Sequence, residues 1–320
     1  MKFPLLLTLG SLLSVASSSC KDDTGAEVLT CVPSTMSASP RAPLLAASIG
    51  KDYIPTVFMH GLGDSGSNRG MQNLAKTVPA MYPGAYSIAV DVANGMSSYT
   101  EDIAQQVAEF AKVVQGDAKL SRGFNAVGLS QGGLIVRAYA EMYNSPPVHN
   151  LLSLCGPQGG VGDCPGGTPA WMCNAGKEVM YGAGFSFSGY WKDVDGDAAS
   201  MESKYLEKST YLADINNDRD VKNSTYVNNM MSVNKYVMVE ALEDTVVFPH
   251  ESEMHGFYAW GDLSTVVSFR DTEGYKGNFV GLKSMDEAKK VDTYTYVGDH
   301  LRWTDEFWTD TVLPYLGDEF

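Results

Sequence analysis

The sequence predicts an α/β fold: a mostly parallel central sheet flanked by helices. Short apolar, β-rich runs recur along the chain, and segments with helical spacing lie between them. This alternation implies right-handed crossovers between parallel strands. The composition agrees, with 44% hydrophobic and 19% charged residues over 320 positions, an ordinary balance for a chain with one large core. A net charge of −15 repels phosphate backbones, so nucleic acid is excluded as a partner. Five cysteines are too few for a disulfide scaffold, and the core must hold the fold.

In chain order, residues 1–19 are expected to be a signal peptide. One charge at Lys2 precedes the apolar stretch Phe3 to Val15, and small residues follow, placing cleavage between Ala16 and Cys20. The stretch is shorter than the ~20 apolar residues a membrane anchor needs, and no later one is longer. Residues 20–50, rich in Ser, Thr, Ala and Pro, are expected to form a poorly packed arm in which Cys20 and Cys31 can close a loop. The α/β domain then occupies 51–320. Strands are expected at Tyr53–Met59, Tyr86–Val92, Phe124–Leu129, Asn150–Leu154, Tyr236–Leu242 and Tyr294–Val297. Ile103, Val107, Phe110, Ala111 and Val114 mark a helix behind the acidic start Glu101-Asp102, and Leu134 to Met142 marks another. An amphipathic end surrounds Phe307, Trp308, Val312 and Leu316. The rhythm breaks over about 156–232, where a Gly- and aromatic-rich insertion is expected, cap-like, after the nucleophile half. Asn223-Ser224-Thr225 is a glycosylation sequon.

The chemistry is concentrated in Gly128-Leu129-Ser130-Gln131-Gly132, a G-x-S-x-G segment with a strand before it and a helix after it. That context turns a common short pattern into a nucleophile elbow of the α/β-hydrolase fold. Serine sits at a strained turn, and glycines flank it because side chains there would strike neighbouring backbone. A serine hydroxyl needs a base to take its proton, and in this fold the order is serine, acid, histidine. His149 follows too soon, and His250 and His255 flank the acid loop. His300, after the last strand, is the expected base. The acid should end the preceding strand, where either Glu243 or Asp244 can serve; Asp244 is favoured for its shorter reach after the turn. The oxyanion needs two amide donors, expected from Gln131 and from Leu62 in the loop His60–Asp64. His60 precedes the serine and is expected to hold that loop. No metal-ligand cluster is visible, and such a triad needs no cofactor.

These residues carry a resemblance. The chain resembles the palmitoyl-protein thioesterases of the soluble lysosomal type in HGLGDS at His60 to Ser65, FNAVGLSQGG at Phe124 to Gly133, SPPVHNLLSL at Ser145 to Leu154, YLADIN at Tyr211 to Asn216, GFYAWG at Gly256 to Gly261 and GDHLRW at Gly298 to Trp303. The family's triad falls on Ser130, Asp244 and His300, and its oxyanion amides on Leu62 and Gln131. Cys164 and Cys173 match a family pair and are expected to be bonded, leaving Cys155 as a buried, inert thiol. Gly66, Ser67 and Tyr143 stand where relatives carry cysteines, and Gln158 where they carry a histidine. The resemblance implies hydrolysis of palmitoyl thioesters on S-acylated proteins or peptides, in the lysosome or vacuole or outside the cell, with at most transient contact with a lipid surface. A secreted lipase or carboxylesterase of the same fold is the alternative. Trp171, Met180, Phe185 and Trp191 in the insertion are candidates for an acyl groove.

Overall fold

The computed structural model describes residues 50–164, 181 and 184–320. The segment 1–49, with Cys20 and Cys31, lies outside the described residues, as do Trp171, Cys173 and Met180. Cys164 is disulfide-bonded and Cys155 is free and buried.

The described strands are β1 (Thr56–Met59), β2 (Ser87–Val90), β3 (Phe124–Leu129), β4 (Val148–Leu154), β5 (Lys235–Ala241), β6 (Phe257–Ala259), β7 (Asp262–Val267) and β8 (Val291–Tyr296). Six of them form one sheet in the order β2-β1-β3-β4-β5-β8, with every neighbouring pair parallel. The chain starts in the middle at β1, steps outward to β2, and then crosses over to β3 and beyond. This reversal leaves the carboxyl ends of β1 and β3 adjacent, where ligands of open α/β sheets bind.

The two-residue period of the strands divides the core between the faces of the sheet. Val57, Met59, Ala126, Leu151, Tyr236 and Met238 belong to one apolar cluster. Their neighbours Phe58, Val127, Leu152, Val237 and Val239 belong to the other. The first face is covered by the helices Ile103–Gly116 and Gln131–Met142 and by much of the segment between β4 and β5. The second is covered by the helix Arg69–Met81 and by the C-terminal turns carrying Trp308, Val312, Leu313 and Leu316. Both faces are therefore buried, as a parallel sheet requires. The expected strands are all present within a few residues of their expected ends.

The helix Arg69–Met81 was not foreseen. Met71, Leu74, Ala75 and Val78 form its buried stripe, and Asn68 caps it by accepting from Gly70 N at 2.9 Å. Pro79 near its end disguises the pattern. The antiparallel β6–β7 hairpin was also missed; it turns at Trp260-Gly261, with Gly261 at φ 80°.

Between β4 and β5 the chain forms the turn Ser186–Tyr190 and the helices Ala198–Lys208, Leu212–Ile215 and Ser224–Ser232. Exposed Asn223 caps the last of these, accepting from Thr225 N at 3.0 Å. This segment is fastened to the helix Gln131–Met142 by a fully buried charge. Arg137 pairs with Glu141 at 3.0 Å, both side chains without exposure, and donates to Asn216 Oδ1 at 2.7 Å and Ile215 O at 3.3 Å. Tyr211 OH adds a bond to Leu134 O at 3.0 Å. Burial pushes the Glu141 carboxyl up to about 7, against the pull of Arg137.

Removing one member of a buried pair strands the other. Arg137→Ala is therefore expected to destabilise the protein by about 3–5 kcal/mol at pH 8. At pH 5 the loss should be smaller. A carboxyl whose pKa is raised on folding lowers stability as pH climbs from its unfolded to its folded pKa, and without Arg137 that decline extends beyond pH 7. Urea midpoints at the two pH values check this; equal losses would show that the charge of Glu141 is not what Arg137 compensates.

Candidate active site

Ser130 stands between β3 and the helix Gln131–Met142 at φ 54° and ψ −124°, a backbone conformation that L residues avoid. The flanking glycines are obligatory on space alone. A Cβ on Gly128 would lie 2.3 Å from Gly132 O, and one on Gly132 would lie 2.4 Å from Met59 O and 2.5 Å from His60 O. The turn is pinned by Ser130 N donating to Leu154 O at 2.9 Å and Gly133 N donating to Ser130 O at 2.8 Å. Ser130 occupies the N-cap position, yet its side chain makes no capping bond. The hydroxyl is not spent on its own helix, which is unusual for serine there.

Gln131 opens that helix, so its N–H has no intrahelical acceptor and lies where the helix end favours negative charge. Its side chain is fixed from four directions. Nε2 donates to Ser98 O at 3.3 Å and Gln106 Oε1 at 3.0 Å; Oε1 accepts from Ser186 Oγ and Tyr190 OH, each at 3.0 Å. Ser186 and Tyr190 belong to the segment between β4 and β5, so that segment braces the elbow. Leu62 lies in the loop after β1, beside Gly63, whose N–H donates to Ser98 Oγ at 2.7 Å. His60 is buried and shares the loop through Nδ1 and Gly61 O, 2.9 Å apart. Burial lowers its pKa, so it stays neutral.

The expected acid and the expected base meet. His300 Nδ1 is 2.5 Å from Asp244 Oδ2, with side-chain exposures of 2% and 0%. Asp244 Oδ1 accepts from Val246 N at 2.7 Å and Val247 N at 2.8 Å. Burial by itself would raise the Asp244 pKa; the imidazole and these donors overcome it and hold the group well below the usual carboxylate range. Asp244 is buried whereas Glu243 is exposed, so of the two expected carboxylates only Asp244 faces His300. Because Nδ1 carries its proton toward Asp244, Nε2 is the basic nitrogen. Nε2 is buried and has no hydrogen-bond partner among the described residues. The structure thus joins Asp244 to His300 but records no hydrogen bond from Ser130 Oγ to Nε2.

The other histidines are engaged elsewhere. His149 meets Asp318 at 3.0 Å, His250 meets Glu240 at 2.7 Å, and half-buried His255 meets Tyr236 OH at 3.1 Å. Cys155 is fully buried, with its thiol 3.3 Å from Tyr296 OH. Burial pushes that thiol up to about 12, which makes it unreactive at neutral pH.

Two residues escaped the sequence reading. Asp299 Oδ1 accepts from Thr245 N at 2.9 Å, Thr245 Oγ1 at 2.9 Å and His300 N at 2.7 Å, so it ties the acid loop to the base loop. Its position next to the histidine was the only available signal. Glu253 is fully buried beside the pair, with nothing in the polar run His250-Glu251-Ser252-Glu253 to announce it. Although no metal cluster was expected, ligand-type atoms of Cys155, Asp244, Glu253 and His300 lie within 4.8 Å of one another. Within that group the histidine nitrogen and the aspartate oxygen already bond each other.

Of the acyl-groove candidates, Phe185 is half-buried. Trp191 is 1% exposed and packs edge-on to Phe187 within the core, so an acyl chain would reach it only by displacing its neighbours. A cavity of about 520 Å³ lies against Lys192, Tyr205, Phe257, Trp260 and Tyr275, but neither Ser130, Asp244 nor His300 lines it. It is separate from the chemistry.

A parallel sheet with a strained serine elbow, and an aspartate–histidine pair after the following strands, defines a serine hydrolase of the α/β-hydrolase class. Comparison with known proteins narrows this. The family model described as palmitoyl protein thioesterase matches residues 55–300. The chain is 35% identical to palmitoyl-protein thioesterase 3 of Dictyostelium discoideum over 272 residues, 82% of this chain and 92% of that one. It is 31% identical to palmitoyl-protein thioesterase 1 of Caenorhabditis elegans, over 78% and 87% of the two chains. It is 30% identical to the human lysosomal thioesterase PPT2, over 73% and 77%. The chain belongs to the palmitoyl-protein thioesterase family.

The geometry separates the two neighbouring carboxylates by function. Asp244→Asn is expected to lower kcat by about 10⁴-fold, because an amide can hold the wrong imidazole tautomer. Glu243→Gln should leave kcat within about twofold, as expected for an exposed side chain without a partner role. Steady-state kinetics on the two folded variants decides; equal losses would contradict the assignment.

Proposed function

We propose that this protein hydrolyses thioesters of long-chain fatty acids, palmitate foremost, on cysteines of S-acylated proteins or peptides, through an acyl-enzyme on Ser130. The observation that carries the reading is the combination of family membership over residues 55–300 with a serine elbow whose hydroxyl is unspent. The buried Asp244–His300 pair supplies the base.

The steps balance without a cofactor. Ser130 Oγ gives its proton to His300 Nε2 and attacks the thioester carbonyl. The resulting oxyanion takes hydrogen bonds from the amides of Leu62 and Gln131. Collapse breaks the C–S bond, and His300 returns the proton to the departing cysteine sulfur. Water then attacks the acyl-serine, its proton passing to Nε2, and the fatty acid leaves as Ser130 regains its proton. A thiol of pKa about 8.5 leaves readily, so general-base activation with oxyanion binding suffices. Asp244 holds the imidazole tautomer and stabilises the imidazolium while it carries the proton.

The segment 156–232 is read as the cap over this face. Phe185, with Trp171 and Met180, is proposed to shape the acyl groove, and Trp191 packs in the core instead. A Cys164–Cys173 bond and a glycan on Asn223 fit the same reading, as does residence in the lysosome or vacuole. Relatives that carry lysosomal names support that location.

A long groove has a measurable consequence. Each buried methylene contributes up to ~0.8 kcal/mol, and even a quarter of the sum over a palmitoyl chain amounts to about a hundredfold in kcat/KM. On one cysteine peptide bearing acyl chains of four, eight, twelve and sixteen carbons, kcat/KM should rise along the series. The matched oxygen ester of the longest chain should be hydrolysed more slowly than the thioester. A flat or falling series, or a preference for the oxygen ester, would favour a carboxylesterase.

A further inference from the structure

Behind the Asp244–His300 pair lies a second carboxyl group that the reaction as written does not use. Glu253 sits in the short turn His250–Met254, has no exposure, and is held through Oε2, which accepts from Ala241 N at 2.8 Å. Its other oxygen, Oε1, is buried without a hydrogen-bond partner among the described residues and lies 3.9 Å from His300 Nδ1. Asp244, in contrast, is well supplied as an anion, with two backbone N–H donors on one oxygen and the imidazole on the other, and the second oxygen can accept one more. Two adjacent buried carboxylates cannot both stay ionised, and the one with fewer donors takes the proton. Glu253 has one donor, and a proton on Oε1 would satisfy both that oxygen and its anionic neighbour.

We propose that Glu253 is a positioning residue: a neutral carboxyl that donates a hydrogen bond to Asp244 and so fixes the carboxylate against His300. Everything titratable around it points the same way. Asp244 comes from the loop after β5, Cys155 from the end of β4, Tyr296 from the end of β8 and His300 from the loop beyond it. Burial first, then the proximity of Cys155 and Asp244, keeps the Glu253 carboxyl well above the usual range. The same contact helps to hold Asp244 below it. The role rests on the hydrolytic reading of the site and deepens it.

Two variants separate positioning from mere space filling. Glu253→Gln keeps one donor and one acceptor and should retain kcat and KM within about threefold. Glu253→Leu keeps the volume but removes both; kcat should fall about 10–100-fold with KM little changed, as for a reacting group displaced by a fraction of an ångström to one ångström. In this variant Asp244, deprived of a donor, is free to turn away from the imidazole, so the loss should fall on kcat and not on KM. The labelling rate of Ser130 by a fluorophosphonate gives a second readout that is independent of acyl preference. It should slow in parallel in Glu253→Leu and stay unchanged in Glu253→Gln. Wild-type protein that is labelled but does not turn over S-palmitoyl peptide would defeat the thioesterase reading alone, and the labelling rates would still decide the role of Glu253. A folded Glu253→Gln as impaired as Glu253→Leu would overturn the proposal. So would a Glu253→Leu with unchanged kcat and labelling rate. If Glu253→Leu does not fold, a tenfold or greater loss in Glu253→Gln overturns it.

Discussion

Ser130 is held at φ 54°, a conformation that costs on the order of 1–3 kcal/mol and persists only when its surroundings over-determine it. Here they do. The sheet brings β1 and β3 into register, so that Met59 pairs with Gly128, and the next turn of chain must pass within a Cβ radius of both. Gly128 and Gly132 permit that approach, and Leu154 at the end of β4 accepts the Ser130 N–H. The position of the hydroxyl at the turn and the start of the following helix are consequences of this one close passage. So is the presentation of the Gln131 amide. The segment between β4 and β5 then reaches back through Ser186 and Tyr190 to fix the Gln131 side chain. That segment and the elbow are therefore one mechanical unit.

The other half of the site is assembled from two loops that carry no such strain. Asp244 follows β5 and His300 follows β8, and the parallel pairing of those strands sets their ends side by side. Hydrogen bonds do the rest. Asp299 clamps Thr245 and the His300 backbone, while Val246 and Val247 orient Asp244. The pair is buried, so each bond is stronger than it would be in water and each unpaired group more costly. That cost explains why buried Glu253 is best described as neutral.

What could be read from the chain follows from locality. The β3–serine–helix unit is legible because its chemistry and its geometry occupy one stretch of ten residues. Asp244 and His300 are legible because strand ends are legible; the order of serine, acid and histidine removes His60 and His149, and the nearness of His250 and His255 to the acid loop leaves His300. Glu243 against Asp244 could not be settled by spacing; burial settles which one faces the ring. Asp299 and Glu253 were hidden because their roles depend on loops distant in sequence. Glu253 looks like any acid in a polar run until the turn His250–Met254 folds beneath β5. The helix Arg69–Met81 was missed for a different reason: its apolar stripe is present, but Pro79 interrupts the helical pattern near its end. Trp191 was readable as a large aromatic of the insertion but not as buried, since it lies between the turn Ser186–Tyr190 and the helix Ala198–Lys208, where no periodicity places a side chain.

The central claim is that Ser130 carries the acyl group during turnover. Rapid acid quench of the protein mixed with S-palmitoyl cysteine peptide, followed by mass spectrometry of its proteolytic fragments, tests this directly. The account predicts a palmitoyl group on the fragment containing Ser130, rising to a steady level and vanishing once the peptide is consumed. Turnover with the acyl group on another residue, or with no acyl-enzyme under conditions where deacylation is slowed, would contradict it.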